Sequence, residues 1–179
     1  MGFLRETAVD RFLLQFIKGV TKNPMSVKSL FADVRVSHLP LPAPALVSPT
    51  TPLSEAIAEM KKRESGCILI ADKGRLKGIF TERDLLNRVL GKKIDPRAPI
   101  ASVMTERPVT SAEDAFLVYV VDLMGEKGYR HVPLVSRSGQ VKGVISVTHI
   151  ITYLAEHFPA EVYNLPPRLD QRSHTSEGG

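Results

Sequence analysis

Near the start of the chain Val9, Phe12, Leu13, Phe16, Ile17 and Val20 recur at helical spacing and predict an amphipathic helix over residues 5–20, stopped by Asn23-Pro24. Over residues 37–52 the pattern changes, because Pro40, Pro42, Pro44, Pro49 and Pro52 forbid a helix and favour extended chain, a lead-in strand or linker. From there the spacing predicts a helix over 53–63, a strand over 67–71, a turn at Lys73-Gly74, a strand over 76–80 and a helix over 82–90. The same order then returns as a helix over 112–127, a strand over 132–135, a turn at Ser138-Gly139, a strand over 141–145 and a helix reaching Leu154. After Phe158 the chain is punctuated by Pro159, Pro166 and Pro167 and ends in polar residues, which predicts a mobile last stretch.

The two halves are copies. Met60 answers Met124, and the segment from Arg75 to Thr81 matches that from Gln140 to Ser146 at an offset of 65 positions, with Lys77-Gly78 over Lys142-Gly143. Two short strands and their flanking helices are too small to bury both faces alone, so the copies should pack on one another. The fold class is therefore mixed α/β, with the chain divided into an N-terminal helical segment (1–33), a first repeat (34–95), a second repeat (96–158) and a proline-containing tail (159–179).

The stretch Gly78-Ile79-Phe80-Thr81-Glu82-Arg83-Asp84 runs from the end of a strand into a helix, where backbone amides and the helix dipole favour an anion. Thr81 offers a hydroxyl to a phosphate, Gly78 lets a ligand approach the backbone, and Asp84 can accept both hydroxyls of a ribose. The bland alternative is a capping box, in which Thr81 caps the helix and Asp84 reaches back to the Thr81 amide. Ser146-Val147-Thr148-His149 keeps the hydroxyl in the second copy but has His for the acid.

Composition narrows the classes. At 43% hydrophobic residues the 179-residue chain can build a core, and every apolar run breaks within about ten positions, short of the roughly 20 a membrane span needs. Arg11, Gln15 and Lys18 interrupt what a signal peptide would keep apolar, and the single Cys67 sits in the apolar run Cys67-Ile68-Leu69-Ile70 as a buried hydrophobe would. A reducing, cytoplasmic location is expected. The net charge of +5 is spread among acids, and with aromatics at 6% and no Trp a stacking platform for single strands is hard to build. The five histidines never fall three or four apart, and neither a glycine-rich dinucleotide fingerprint nor a phosphate-binding loop occurs, so no metal site and no catalytic constellation is read.

The doubled unit with Gly-x-x-Thr/Ser-x-x-Asp, over about residues 34–157, resembles a tandem pair of CBS domains, named after cystathionine β-synthase. The stretch from Phe158 to Pro167 also resembles the end of some stand-alone bacterial CBS-pair proteins. The resemblance implies a pseudo-twofold Bateman module with two clefts, each lined by the motif of one repeat and the strand start of the other. It further implies regulation without catalysis, with AMP, ADP, ATP or S-adenosylmethionine as ligand and no cofactor required.

Carried onto this sequence, Gly78, Thr81, Arg83, Asp84, Thr110, Arg130 and His131 would form the ligand site, with Arg130 and His131 suited to phosphate. Ser146 and His149, with Gly66 and Cys67, would form a degenerate second cleft, expected empty or altered. A homodimer and an unknown protein effector complete the expectation, with Phe116, Val120, Leu123 and Met124 as a dimer face or, equally, as core. The rival readings are a dimerising scaffold with a vacant cleft and a nucleic-acid binder using Arg83, Arg88, Lys92, Lys93 and Arg97.

Overall fold

The repeat found in the residues becomes two mixed sheets in the computed structural model, which describes residues 32–157. The expected N-terminal helix and the tail beyond residue 158 lie outside the described residues. In the first repeat, β1 (Leu46–Val47) precedes α1 (Leu53–Lys62), and β2 (Cys67–Asp72) and β3 (Arg75–Thr81) form a hairpin. One helical turn, α2 (Glu82–Asp84), follows and widens into a π-turn over Leu85–Val89. After a 3-10 turn at Ile100–Ser102 the chain adds β4 (Thr105–Glu106). The second repeat has β5 (Ser111–Ala112), α3 (Leu117–Lys127), β6 (His131–Val135), β7 (Val141–Ser146) and α4 (Val147–His157). The first sheet has the order β1-β2-β3-β4 and the second β5-β6-β7, with β1–β2 and β5–β6 parallel and the hairpins antiparallel.

Two elements differ from expectation for local reasons. The helix predicted over 112–127 starts only at Leu117, because Ser111 and Ala112 are held extended against Leu134 and Val135. The helix predicted over 82–90 keeps a single α-turn, since the Leu90 amide reaches back to the Leu85 carbonyl (2.9 Å) and not to residue 86.

Strand β2 is apolar at every position from Cys67 to Ile70 because both of its faces are covered. Ile68 and Ile70 point into the core under α1, whereas Cys67 and Leu69 join Ile79 and Val144 in a layer between the repeats. The hairpin tips meet in the same layer with twofold reciprocity: Leu76 N–H donates to the Gly139 carbonyl (3.2 Å) and Val141 N–H to the Gly74 carbonyl (2.9 Å).

The lead-in segments cross over. Val36 and Leu39, at the start of the first repeat, are buried in the core of the second with Leu117, Val120, Met124 and Ile150. Ile100 and Val103, at the start of the second, are buried in the core of the first with Leu53, Met60, Ile68 and Phe80. Backbone bonds fix the exchange, from Leu117 N–H to the Val34 carbonyl (2.7 Å) and from Leu53 N–H to the Ala98 carbonyl (2.9 Å). Neither repeat has a complete core without the segment that leads into the other.

Candidate functional site

The end of β3 delivers Thr81 to the first turn of α2, and the expected capping box forms. Asp84 N–H donates to Thr81 Oγ1 (3.2 Å), while Asp84 Oδ2 accepts from the Thr81 amide (3.0 Å) and hydroxyl (2.8 Å). The other carboxylate oxygen, Oδ1, pairs with Arg88 Nε at 3.2 Å and receives a long contact from the Thr105 hydroxyl at 3.5 Å. With its side chain only 12% exposed, Asp84 has its strong acceptor positions used, and a ribose hydroxyl would replace the Thr105 contact.

Arg88, grouped by sequence with candidate nucleic-acid contacts, is instead a clamp on β4. Its guanidinium donates to the carbonyls of Val103 (3.0 Å) and Met104 (2.9 Å) and to Thr105 Oγ1 (3.1 Å). Replacing Arg88 with Met is expected to lower stability by about 2 kcal/mol, because two carbonyls and a carboxylate lose a charged donor. Urea denaturation measures the loss, and faster amide exchange at Thr105 would locate it in β4.

A cleft of about 280 Å³ opens beside this turn. It is lined by Thr81, Arg83 and Asp84 from the first repeat, by Thr105, Arg107, Pro108 and Val109 on and after β4, and by Tyr129, Arg130 and His131 at the start of β6. Five of the seven residues expected in the ligand site therefore meet here. The other two do not line it. A Cβ on Gly78 would lie 2.5 Å from Met104 Sδ and 2.9 Å from the Thr105 carbonyl oxygen, so the glycine makes room for β4. Thr110 is outside the lining, and neighbouring Ser111 is buried with its hydroxyl lacking a partner among the described residues.

His131 is a neutral group here. Burial, followed by repulsion from Arg130, from His149 whenever that ring is also protonated, and from Arg83, lowers its pKa from 6.5 to about 4, so at neutral pH it offers a phosphate a ring N–H and no charge. Its ring occupies the space that a side chain on Gly66 would take, 3.1 Å from that missing Cβ.

The opposite cleft is larger, about 660 Å³, and contains Gly66, Cys67, Ser146 and His149 as expected, together with Arg63, Glu64, Glu82, Arg130 and His131. Its turn is capped as fully as the first. His149 N–H donates to Ser146 Oγ (3.2 Å), and Ser146 N–H donates to His149 Nδ1 (3.2 Å), so the imidazole does the work of the carboxylate. That bond requires Nδ1 unprotonated, which agrees with burial lowering the His149 pKa. Cys67, in the same wall, is inert as a nucleophile, since burial pushes its thiol up to about 12.

Sequence reasoning missed Thr105, Arg107 and Pro108. Thr105 lies in a two-residue strand, which is too short to carry periodicity, and Arg107 and Pro108 follow it, so only its pairing with Gly78 and Ile79 brings them to the cleft. Val120 and Met124, weighed as a dimer face, are fully buried in the second core, while Phe116 is 43% exposed with the Arg35 guanidinium 4.4 Å over its ring.

Comparison with known proteins agrees with this geometry. A 17.7 kDa protein of the archaeon Acidianus ambivalens is 28% identical over 123 residues, covering 68% of this chain and 74% of that one. A CBS domain-containing protein of Arabidopsis thaliana is 30% identical over 105 residues, 58% of this chain but only 19% of the plant protein. Among solved structures, a CBS domain protein of Pyrobaculum aerophilum complexed with AMP superposes with a TM-score of 0.61 at 23% identity, covering 69% of this chain and 99% of that one. Family comparison places CBS domains at residues 36–91 and 100–156. Those two stretches are the halves of the crossed-over pseudo-twofold body, and the chain belongs to the CBS domain family as a tandem pair.

Proposed function

We propose that this chain is a regulatory module that binds one adenine nucleotide in the cleft between Thr81 and Arg130 and performs no catalysis of its own. One observation carries the choice of cleft. Arg83 and Arg107 line it and do not line the other cleft, and the carboxylate beside them, Asp84, is already paired with Arg88. The larger cleft instead sets Glu64 and Glu82 against Arg130 and an Arg63 that is paired with Glu59. An anion is therefore drawn to the smaller cleft despite its size. Val109 and Tyr129, 42% and 38% exposed, offer apolar surface to a base at the same place.

A ligand lodged there would touch β3 and α2 of one repeat and the start of β6 of the other. It would favour whichever relative setting of the repeats it fits best, and so report its concentration as a change of shape. A protein effector and a homodimer belong to this reading as the means of passing that change on.

The test is calorimetric titration with AMP, ADP, ATP and S-adenosylmethionine on the wild type and on Asp84→Ala and Arg130→Ala. About one site per chain for a nucleotide, weakened at least tenfold by Arg130→Ala, is the expected result. No binding of any of the four would sink the proposal. The dimerising scaffold would then gain, since the full commitment of Asp84 to its cap is what a vacant cleft would show.

A further inference from the structure

The two clefts have a wall in common. Arg130 and His131, at the start of β6, line both the cleft at the Thr81 turn and the larger one at the Ser146 turn. The 65-residue offset between the repeats puts Ser65 and Gly66 at the matching place before β2, and these line the larger cleft alone. Ser65 spends its hydroxyl on the Cys67 carbonyl (2.7 Å), and Gly66 has no side chain, so one strand start serves two clefts. The His131 ring fills the room left at Gly66, with Nε2 and Cε1 3.1 Å from where a Cβ would stand. The backbone beneath is held, because Val147 N–H donates to the Arg130 carbonyl (3.0 Å) and His131 is paired with Ser146 in the β6–β7 ladder.

We infer that the larger cleft is a second, weaker phosphate site and that the two clefts exclude one another, because both ligands need Arg130 and His131. This rests on the adenine-nucleotide reading above and adds that the module holds either of two anions and not both. The larger cleft contains the Thr148 hydroxyl and the start of the eleven-residue α4 as well as Arg130, which suits a phosphate, while Glu64 and Glu82 weaken it. A phosphate dianion placed opposite a first one is repelled by it about as strongly as the guanidinium between them attracts it. His131 imposes the same choice through its protons. Being neutral, its ring has one N–H to donate and one nitrogen that can only accept, so it serves one phosphate at a time.

The probe is inorganic pyrophosphate, followed by NMR at the Ser146 and His149 amides of the full chain, first alone and then with AMP in excess. Pyrophosphate alone should shift these amides. AMP, whose own binding is read at the Thr81 and Asp84 amides, should weaken pyrophosphate at the Ser146 turn by about tenfold or more. Arg83→Ala and Arg107→Ala alter the smaller cleft only, so each should raise the AMP concentration needed for this effect in step with its loss of AMP affinity. Pyrophosphate that binds the Ser146 turn equally well with AMP present would overturn the exclusion and leave the adenine-nucleotide reading standing. A Ser146 turn that pyrophosphate never reaches would do the same. So would displacement at unchanged AMP concentration in both variants, since AMP would then be competing inside the larger cleft itself. Failure of AMP to bind wild type would remove the earlier reading and this one together.

Discussion

Ile100→Ala is expected to cost about 3 kcal/mol and to loosen the first repeat, although Ile100 leads into the second. Its side chain is fully buried among Leu53, Met60, Ile68, Ile70 and Phe80, so truncation leaves a cavity under α1 and β2. Val36→Ala is the mirror experiment and should loosen the second repeat, around Leu117, Met124 and Val132. Residue-resolved amide exchange reads both, because local opening reports which cooperative unit has lost its support. Faster exchange at Ile68 and Ile70 in Ile100→Ala, with β6 less affected, is the expected pattern. Loosening confined to the repeat that follows each mutated residue would contradict the crossover.

Acidification is expected to remove about 3 kcal/mol of stability through His131 as pH falls from 7 to 4. The native pKa lies near 4 and the ordinary value is 6.5. Between those values the unfolded chain binds a proton that the folded chain refuses, so stability is full above pH 6.5, declines as pH falls and levels off below about 4. His149 acts in the same direction, since its pKa is also lowered and its proton would fall on the nitrogen that caps α4. Urea midpoints of wild type and His131→Gln at pH 7, 5.5 and 4 check this, because carboxylates common to both proteins cancel in the difference. Equal pH slopes would mean that the ring titrates in the folded protein as it does in water.

The same two experiments bear on the ligand. A nucleotide that crosses from the Thr81 turn to Arg130 would hold the repeats together, so bound ligand should slow exchange in both cores at once. It would also bring phosphate charge near His131, which favours protonation of the ring and softens the acid dependence. A ligand bound outside the two clefts would produce neither effect, because only they bring both repeats and His131 together.

Much of the fold was legible because its signals are local. Leu53 to Lys62 and the two hairpins carry their periods within a few residues, and the match of Lys77-Gly78 with Lys142-Gly143 exposed the repeat without any knowledge of contacts. Thr81 and Asp84 could be placed at a strand-to-helix junction for the same reason, and the capping geometry that was weighed against a ligand role is present. The late start of α3 at Leu117 was not legible, since nothing near Ser111 says that β6 will hold it extended.

What the amino-acid sequence determined by itself is therefore the repeated unit, its strand and helix order, and the polar residues set at each strand-to-helix turn. Tertiary structure decided which lead-in completes which core, that Arg88 faces inward onto β4, that Arg107 reaches the cleft, and that His149 serves as an acceptor. The physical reason is range. Periodicity and capping arise from neighbours within one or two turns, whereas the pairing of Leu117 with Val34 or of Gly78 with Glu106 depends on which distant surfaces bury the most apolar area together.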